Sequence, residues 1–244
     1  MLKNALLTNR SAATKSALLF MKSLANSPYL RWLKIVGVIP FLLCLAIAVL
    51  LVTVGPQFAD AKEIPFDIAF LDFLHQVIPD ALAPFWKLVY QVTGAELTAG
   101  MVVITLGIFI WKRYWSEAKY LAFATLGILL VVDQGLKPIF NRRRPLESLV
   151  EVDGRSFPSG HAAGGVVFYY YLAYVMSTHY PQYRWQIYGG TTLWVGFIGL
   201  SSMYCRVHWL SDILAGYAVG FVWLTLTLFL LRRSEPNTYL KHRQ

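Results

Sequence analysis

Six stretches of the chain are apolar for long enough to cross a bilayer, which takes about 20 residues of helix. The first, Ile35–Val54, carries no charged residue. The others run from about Leu88 to Trp111, Tyr120 to Leu136, His161 to Ser177, Ile187 to Tyr204 and Ile213 to Leu231. None repeats another, and no low-complexity or linker tract separates them. The pattern predicts an all-α fold, a polytopic helix bundle with six transmembrane helices over residues 35–231. A basic segment, 1–34, precedes it as an interfacial helix or a loose tail, and a basic tail, 232–244, follows. Phe66–Val77 is apolar but broken by Asp67, Asp72 and His75. Pro65 and Pro79 bound it, which predicts a short helix lying on the outer surface.

Composition supports lipid as the solvent. The chain is 57% hydrophobic and only 14% charged, against about 45–50% and 25% in soluble domains. These values exclude a disordered chain, and two Cys exclude a disulfide framework. Cys44 and Cys205 read as small packing residues. Ala59-Asp60-Ala61 mimics a signal-peptidase site, but the apolar run and its approach are too long for a signal peptide.

The net charge is +9, which in a soluble protein would suggest nucleic acid. Here it follows topology. The N-terminal segment, the loop with Lys112, Arg113 and Lys119, Arg184 and the tail hold 14 of the 22 Lys and Arg; the opposite side holds 8. The first side is expected to be cytoplasmic, with both termini inside. No nucleic-acid partner is expected, and the oligomeric state stays open.

Three stretches on the opposite, outer side concentrate groups that bind anions or move protons. In Pro158-Ser159-Gly160-His161, Ser159 suits an N-cap and Gly160 lets an anion approach the backbone. A helix start offers unpaired N–H groups and a positive dipole end, a natural phosphate site. The competing reading is a capped helix with an interfacial His. In the second, His208 and Asp212 are spaced i, i+4 and share a face if helical. The carboxylate can then fix the imidazole tautomer and leave Nε2 as a nucleophile. Otherwise Asp212 is only a helix cap. In Lys137–Pro145, Lys137 and Arg144 can neutralise phosphate oxygens, or simply bind headgroups. Arg142 and Arg143 read as contacts to a headgroup or second phosphate, or as surface charge. Asp133, one turn before Lys137, is expected to pair with it. The aromatic run Phe168–Tyr171 with Tyr174 reads as helix packing. No carboxylate cluster for Mg²⁺ and no His/Cys metal spacing is present, so no metal or other cofactor is expected.

Taken together, these residues resemble the signature of the type 2 phosphatidic acid phosphatase (PAP2) superfamily: K-x6-R-P, P-S-G-H and S-R-x5-H-x3-D. Lys137 to Arg144-Pro145 and Pro158 to His161 match completely, and Ser201, His208 and Asp212 match at the right spacing. The resemblance covers about residues 60–231 and points to the membrane-bound lipid phosphatase branch. It implies that His208 attacks phosphorus, Asp212 orients it, and His161 protonates the leaving oxygen. Lys137, Arg144, Ser159 and Gly160 would hold the phosphate. One position departs: the motif's Arg is Ser202, and Arg206 stands one helical turn on. Arg206 is therefore expected to supply the missing guanidinium.

The function expected is a metal-independent phosphatase for a lipid phosphate or lipid pyrophosphate, embedded among membrane lipids at the outer leaflet. Candidate substrates are phosphatidic acid, phosphatidylglycerophosphate, an isoprenyl pyrophosphate or a lipid A phosphate. The alternatives are a lipid phosphotransferase, a phosphatase for soluble sugar phosphates and a non-catalytic phospholipid-binding protein.

Overall fold

A computed structural model describes residues 64–234, together with Ala46 and Thr53. The expected first span, the segment 1–34 and the tail beyond Ser234 lie outside the described residues. The elements below all fall within the unit Ile47–Gln244. They are α1 (Pro65–Val77), α2 (Ala83–Val92), α3 (Ala95–Trp111), α4 (Trp115–Phe140), α5 (Gly160–His179), α6 (Arg184–Tyr204) and α7 (Leu210–Ser234). The described residues form helices and loops only.

Helix ends follow local chemistry. Pro65 and Pro84 occupy first-turn positions of α1 and α2, where a missing N–H costs nothing. Thr93-Gly94 breaks what was expected as one span, so α2 and α3 meet at 49°. A Cβ on Gly94 would come within 3.0 Å of the Gln91 carbonyl, so a residue without one is favoured there. Helix α4 changes pitch: residues Trp115–Leu129 are α-helical, Leu130–Leu136 are π-helical and Lys137–Phe140 complete an α turn. Asn141 then stops the helix in the left-handed region, φ 46°, with its N–H on the Lys137 carbonyl.

Helix α5 is the centre, packed by α4, α6 and α7. Its burial allows it to be less apolar than a lipid-facing helix. Val167, Phe168 and Tyr171 are buried, and the Tyr171 hydroxyl donates to the Glu117 carbonyl at 2.8 Å. The aromatic run therefore does serve packing. The tightest contact is between α5 and α7. A Cβ on Gly216 would lie 2.5 Å from the Ser159 carbonyl, and one on Gly220 would lie 2.7 Å from the Ala163 carbonyl. Small residues four apart thus bring two backbones together. Gly127 plays a similar part, since Trp223 lies across it and donates to the Ala124 carbonyl.

The sequence expectation of six spans is met only in part. Among the described residues, α4 and α7 are long and apolar enough to cross a membrane, and the bent pair α2–α3 is a third if counted as one. Helices α5 and α6 have 20 and 21 residues. Their Gly, Ser, Thr and Tyr dilute the apolar signal. The expected short helix does form as α1, but Asp67, Leu71 and Leu74 are buried on it and it packs on α6 and α7. It is a built part of the bundle, not a strip laid on the surface.

The α5–α7 approach should be intolerant of any added carbon. Gly216→Val is expected to destabilise by about 1–3 kcal/mol in detergent melts. Gly196→Ala, where nothing lies within 4 Å of the new Cβ, should stay within about 0.5 kcal/mol of wild type.

Candidate active site

The start of α7 organises the site. Asp212 is the third residue of that helix, and its Oδ2 accepts the Trp209 N–H at 2.9 Å. This reciprocal cap fixes the carboxylate without any help from the substrate. The same Oδ2 faces His208 Nδ1 at 3.5 Å, ion-pair range rather than a tight hydrogen bond. His208 is 2% exposed. Its loop is anchored from behind: the Ser202 carbonyl accepts the N–H groups of Val207 and His208.

On the other ring edge, Arg144 Nη1 lies 3.4 Å from His208 Nε2. A guanidinium has only donors, so this contact needs the Nε2 lone pair and assigns the ring proton to Nδ1. Burial lowers the His208 pKa, the Asp212 carboxylate opposes that, and Arg144 and Lys137 add to the lowering. The net direction is downward, which favours the neutral ring. Burial also lowers the Arg144 pKa, while carbonyls of Asp153 and Val207 hold its guanidinium in place.

The start of α5 supplies the second histidine. Ser159 caps the helix, its Oγ accepting the Ala162 N–H at 3.3 Å. Its own N–H donates to the Asp212 carbonyl at 3.0 Å. The first intrahelical bond runs from the Ala163 N–H to the Ser159 carbonyl. Gly160 and His161 therefore belong to the turn whose N–H groups lack a helical partner. A Cβ on Gly160 would point to Lys137 Nζ, 3.8 Å away, into the space an anion would use. His161 stacks on Tyr90 of α2, centroids 4.6 Å apart, and its buried Nε2 has no hydrogen-bond partner. Lys137 comes from the end of α4 and pairs with Asp133 at 2.6 Å, as the spacing predicted.

One cavity of about 440 Å³ joins these parts. Lys137, Arg144, Gly160, His161 and His208 line it at the polar end. From there it runs along α3 and α4, past Thr98, Val102, Leu106, Thr125, Leu126 and Leu129. Among the described residues, no three His, Cys, Asp or Glu side chains group as ligands for a metal ion.

Two sequence expectations need correction. Arg206 does not reach the cavity; it sits at φ 52° and pairs with Asp72 of α1 at 3.0 Å. Ser202 bonds back to its own helix at the Ile198 carbonyl, and Ile198 is the α6 residue on the cavity wall. The left-handed turn at Arg206 directs its side chain toward α1. Arg142 is neither a surface charge nor a headgroup contact. It is 2% exposed and bonds Asp212 Oδ1 and Asp67 Oδ2, both at 2.7 Å. A buried ion pair broken on one side costs about 3–5 kcal/mol. Asp67, Ser211 and Tyr90 were not anticipated as neighbours of the site. A carboxylate inside the apolar run Phe66–Val77 was the available signal for Asp67, but its partner lies 75 residues away.

The comparisons with known proteins agree with this geometry. Residues 117–235 match the PAP2 superfamily. The chain is 28% identical over 148 residues to phosphatidylglycerophosphatase B of Bacillus subtilis, covering 59% of this chain and 70% of that one. Its fold is similar to the crystal structure of the transmembrane PAP2-type phosphatidylglycerolphosphate phosphatase of Bacillus subtilis. The TM-score is 0.66 at 22% identity, over 80% of this chain and 94% of that one. It is also similar to LpxE of Aquifex aeolicus, with a TM-score of 0.57 at 20% identity over 69% and 98% of the two chains. The motifs, their arrangement around one cavity and these likenesses converge: residues 117–235 match the PAP2 superfamily, and the chain is similar to that family's membrane phosphatases.

Proposed function

We propose that the chain hydrolyses a lipid phosphate or lipid pyrophosphate at the outer leaflet through a phosphohistidine intermediate. The observation that carries this is the two-ended cavity. Cations, a helix start and two histidines stand at one end, and an apolar groove between α3 and α4 extends from them. A phosphate on a hydrocarbon tail fits both ends. A soluble sugar phosphate would leave the groove unused.

In the proposed reaction the Nε2 lone pair of His208 attacks phosphorus. The bond to the lipid oxygen breaks, and that oxygen takes a proton from His161. His208 is then a phosphoimidazolium with its Nδ1–H toward Asp212. Neutral His161 next takes a proton from water, the oxygen attacks phosphorus, the P–N bond breaks and phosphate leaves. Lys137, Arg144 and the N–H groups at the start of α5 meet the charge of the phosphoryl oxygens. Ser159 holds that start in place.

Phosphate release from short-chain phosphatidic acid in detergent, with EDTA present, tests this reading. His208→Ala should lower the rate by at least about 10³-fold, and His161→Ala by about 10²–10⁴-fold. Persistence of the rate in His208→Ala would sink the proposal.

The pH dependence has a definite sign. His208 must be neutral to attack, and burial lowers its pKa, so the acid limb of kcat/KM, which reports the free enzyme, should lie below the ordinary imidazole value of about 6.5. The basic limb is assigned to the His161 proton in the substrate complex, where the negative charge of the bound phosphate favours the protonated ring, giving a bell. A flat profile over about pH 4 to 9 contradicts the two roles.

Arg206→Ala should keep wild-type turnover, since its partner is Asp72. Arg144→Ala should lose at least about tenfold in kcat/KM, in line with removal of a charge-assisted contact. Equal losses in both variants would restore Arg206 to the phosphate pocket.

A further inference from the structure

Behind the histidines lies a network that the reaction as written does not use. Arg142 Nη1 donates to Asp212 Oδ1 and to Ser211 Oγ, each at 2.7 Å, and Nη2 donates to Asp67 Oδ2 at 2.7 Å. Asp67 also accepts the Ser211 hydroxyl at 2.5 Å and the Ser211 N–H at 2.9 Å. The Trp209 ring closes one side, 5.5 Å from the guanidinium carbon. Asp67 and Asp212 are fully buried and Arg142 nearly so. Two elements far apart in the chain, α1 and the loop after α4, thus meet at the carboxylate that faces His208.

We infer that Asp67 is a positioning residue for phosphoryl transfer: through Arg142 it sets both the orientation and the effective charge of Asp212, and so of His208. This rests on the reading of His208 as the nucleophile.

Two carboxylates share one guanidinium, which leaves one excess negative charge in a dry site. Asp67 draws on Arg142 from one side, so Asp212 is only partly neutralised on the other. When His208 takes the phosphoryl group its ring becomes cationic, and the excess charge is balanced at that step. Without Asp67, Arg142 would neutralise Asp212 in full, and the phosphoimidazolium would lose its counter-charge. Without Arg142, two carboxylates would stand uncompensated. In a low-dielectric interior each change acts strongly on the neighbouring ring.

The groups facing His208 are Asp212 of α7, Arg144 of the loop, Lys137 at the end of α4 and His161 at the start of α5. Changing Asp67 or Arg142 acts on the ring through Asp212, Arg142's own partner, and replaces none of these groups. The predicted movements of the acid limb are therefore specific. Asp67→Asn removes the excess negative charge and should move the limb to lower pH. Arg142→Met adds to it and should move the limb to higher pH. The double variant restores the original sum and should return the limb to the wild-type position. Arg142→Lys keeps the charge but cannot bridge two carboxylates as a fork does, so the limb should stay while kcat falls.

The experiment is the pH profile of kcat and KM for phosphate release from short-chain phosphatidic acid, on wild type, these four variants and His208→Ala. The expected result is the opposed pair of shifts. It should come with kcat lowered about tenfold or more in both single variants and KM within about threefold. Limbs that do not move, or that move in the same direction, overturn the inference. Single variants that fail to fold while the double variant folds with normal kcat would give the network a structural role only, and overturn it too. So would failure of the double variant to fold. If wild type releases no phosphate, or His208→Ala still does, the underlying phosphohistidine reading fails and this inference with it.

Discussion

One hydrogen bond joins the two helix starts on which the site depends: the Ser159 N–H donates to the Asp212 carbonyl. Ser159 is the cap of α5, and Asp212 belongs to the first turn of α7. The bond is possible because Gly216 and Gly220 let the α7 backbone lie directly against α5. With any larger residue the two starts would move apart, and His161 and His208 would no longer line one cavity. The grouping of these residues is thus a consequence of backbone approach before it is a matter of side-chain chemistry. It also fits the place of α5 at the centre of the bundle.

The site's polar chemistry is arranged in depth. Facing the cavity are the His161 Nε2, which has no hydrogen-bond partner, and the N–H groups of the first α5 turn. The charged groups are each tied: Arg144 by backbone carbonyls, Asp212 by the Trp209 N–H and Arg142, and Lys137 by Asp133. Such bracing reduces the reorganisation needed when charge develops on the phosphoryl group.

How much of this was legible in the sequence depends on how local each feature is. The ends of α5, α6 and α7 were read to within a few residues, because apolar runs and caps are local signals. Lys137, Arg144, His161, His208 and Asp212 were found because they sit in short motifs at fixed spacing; the fold brings the first four to one cavity and sets Asp212 behind His208. The α2–α3 bend was missed, since Thr93-Gly94 looks tolerable inside an apolar run. Arg206 was misplaced because one helical turn of proximity says nothing about the left-handed residue that turns its side chain to Asp72. Arg142 and Asp67 were misread for the opposite reason. Their partners are distant in sequence, and a charge beside two other arginines looks like surface charge until its burial is known.

The π-helical segment of α4 has a further implication for lineage. Seven residues, Leu130–Leu136, are wound in wider turns just before Lys137, and a π turn holds one residue more than the α turn it replaces. In a regular α-helix each residue adds about 100° of rotation. The extra residue therefore decouples the two halves of the helix. Ala118, Leu121 and Ala124 can face the core while Asp133 and Lys137 face the cavity. Relatives with a regular helix here would be one residue shorter within the helix itself. Aligning them faithfully requires a gap inside a membrane helix, and a gapless alignment upstream of Lys137 would assign lipid-facing positions to the core.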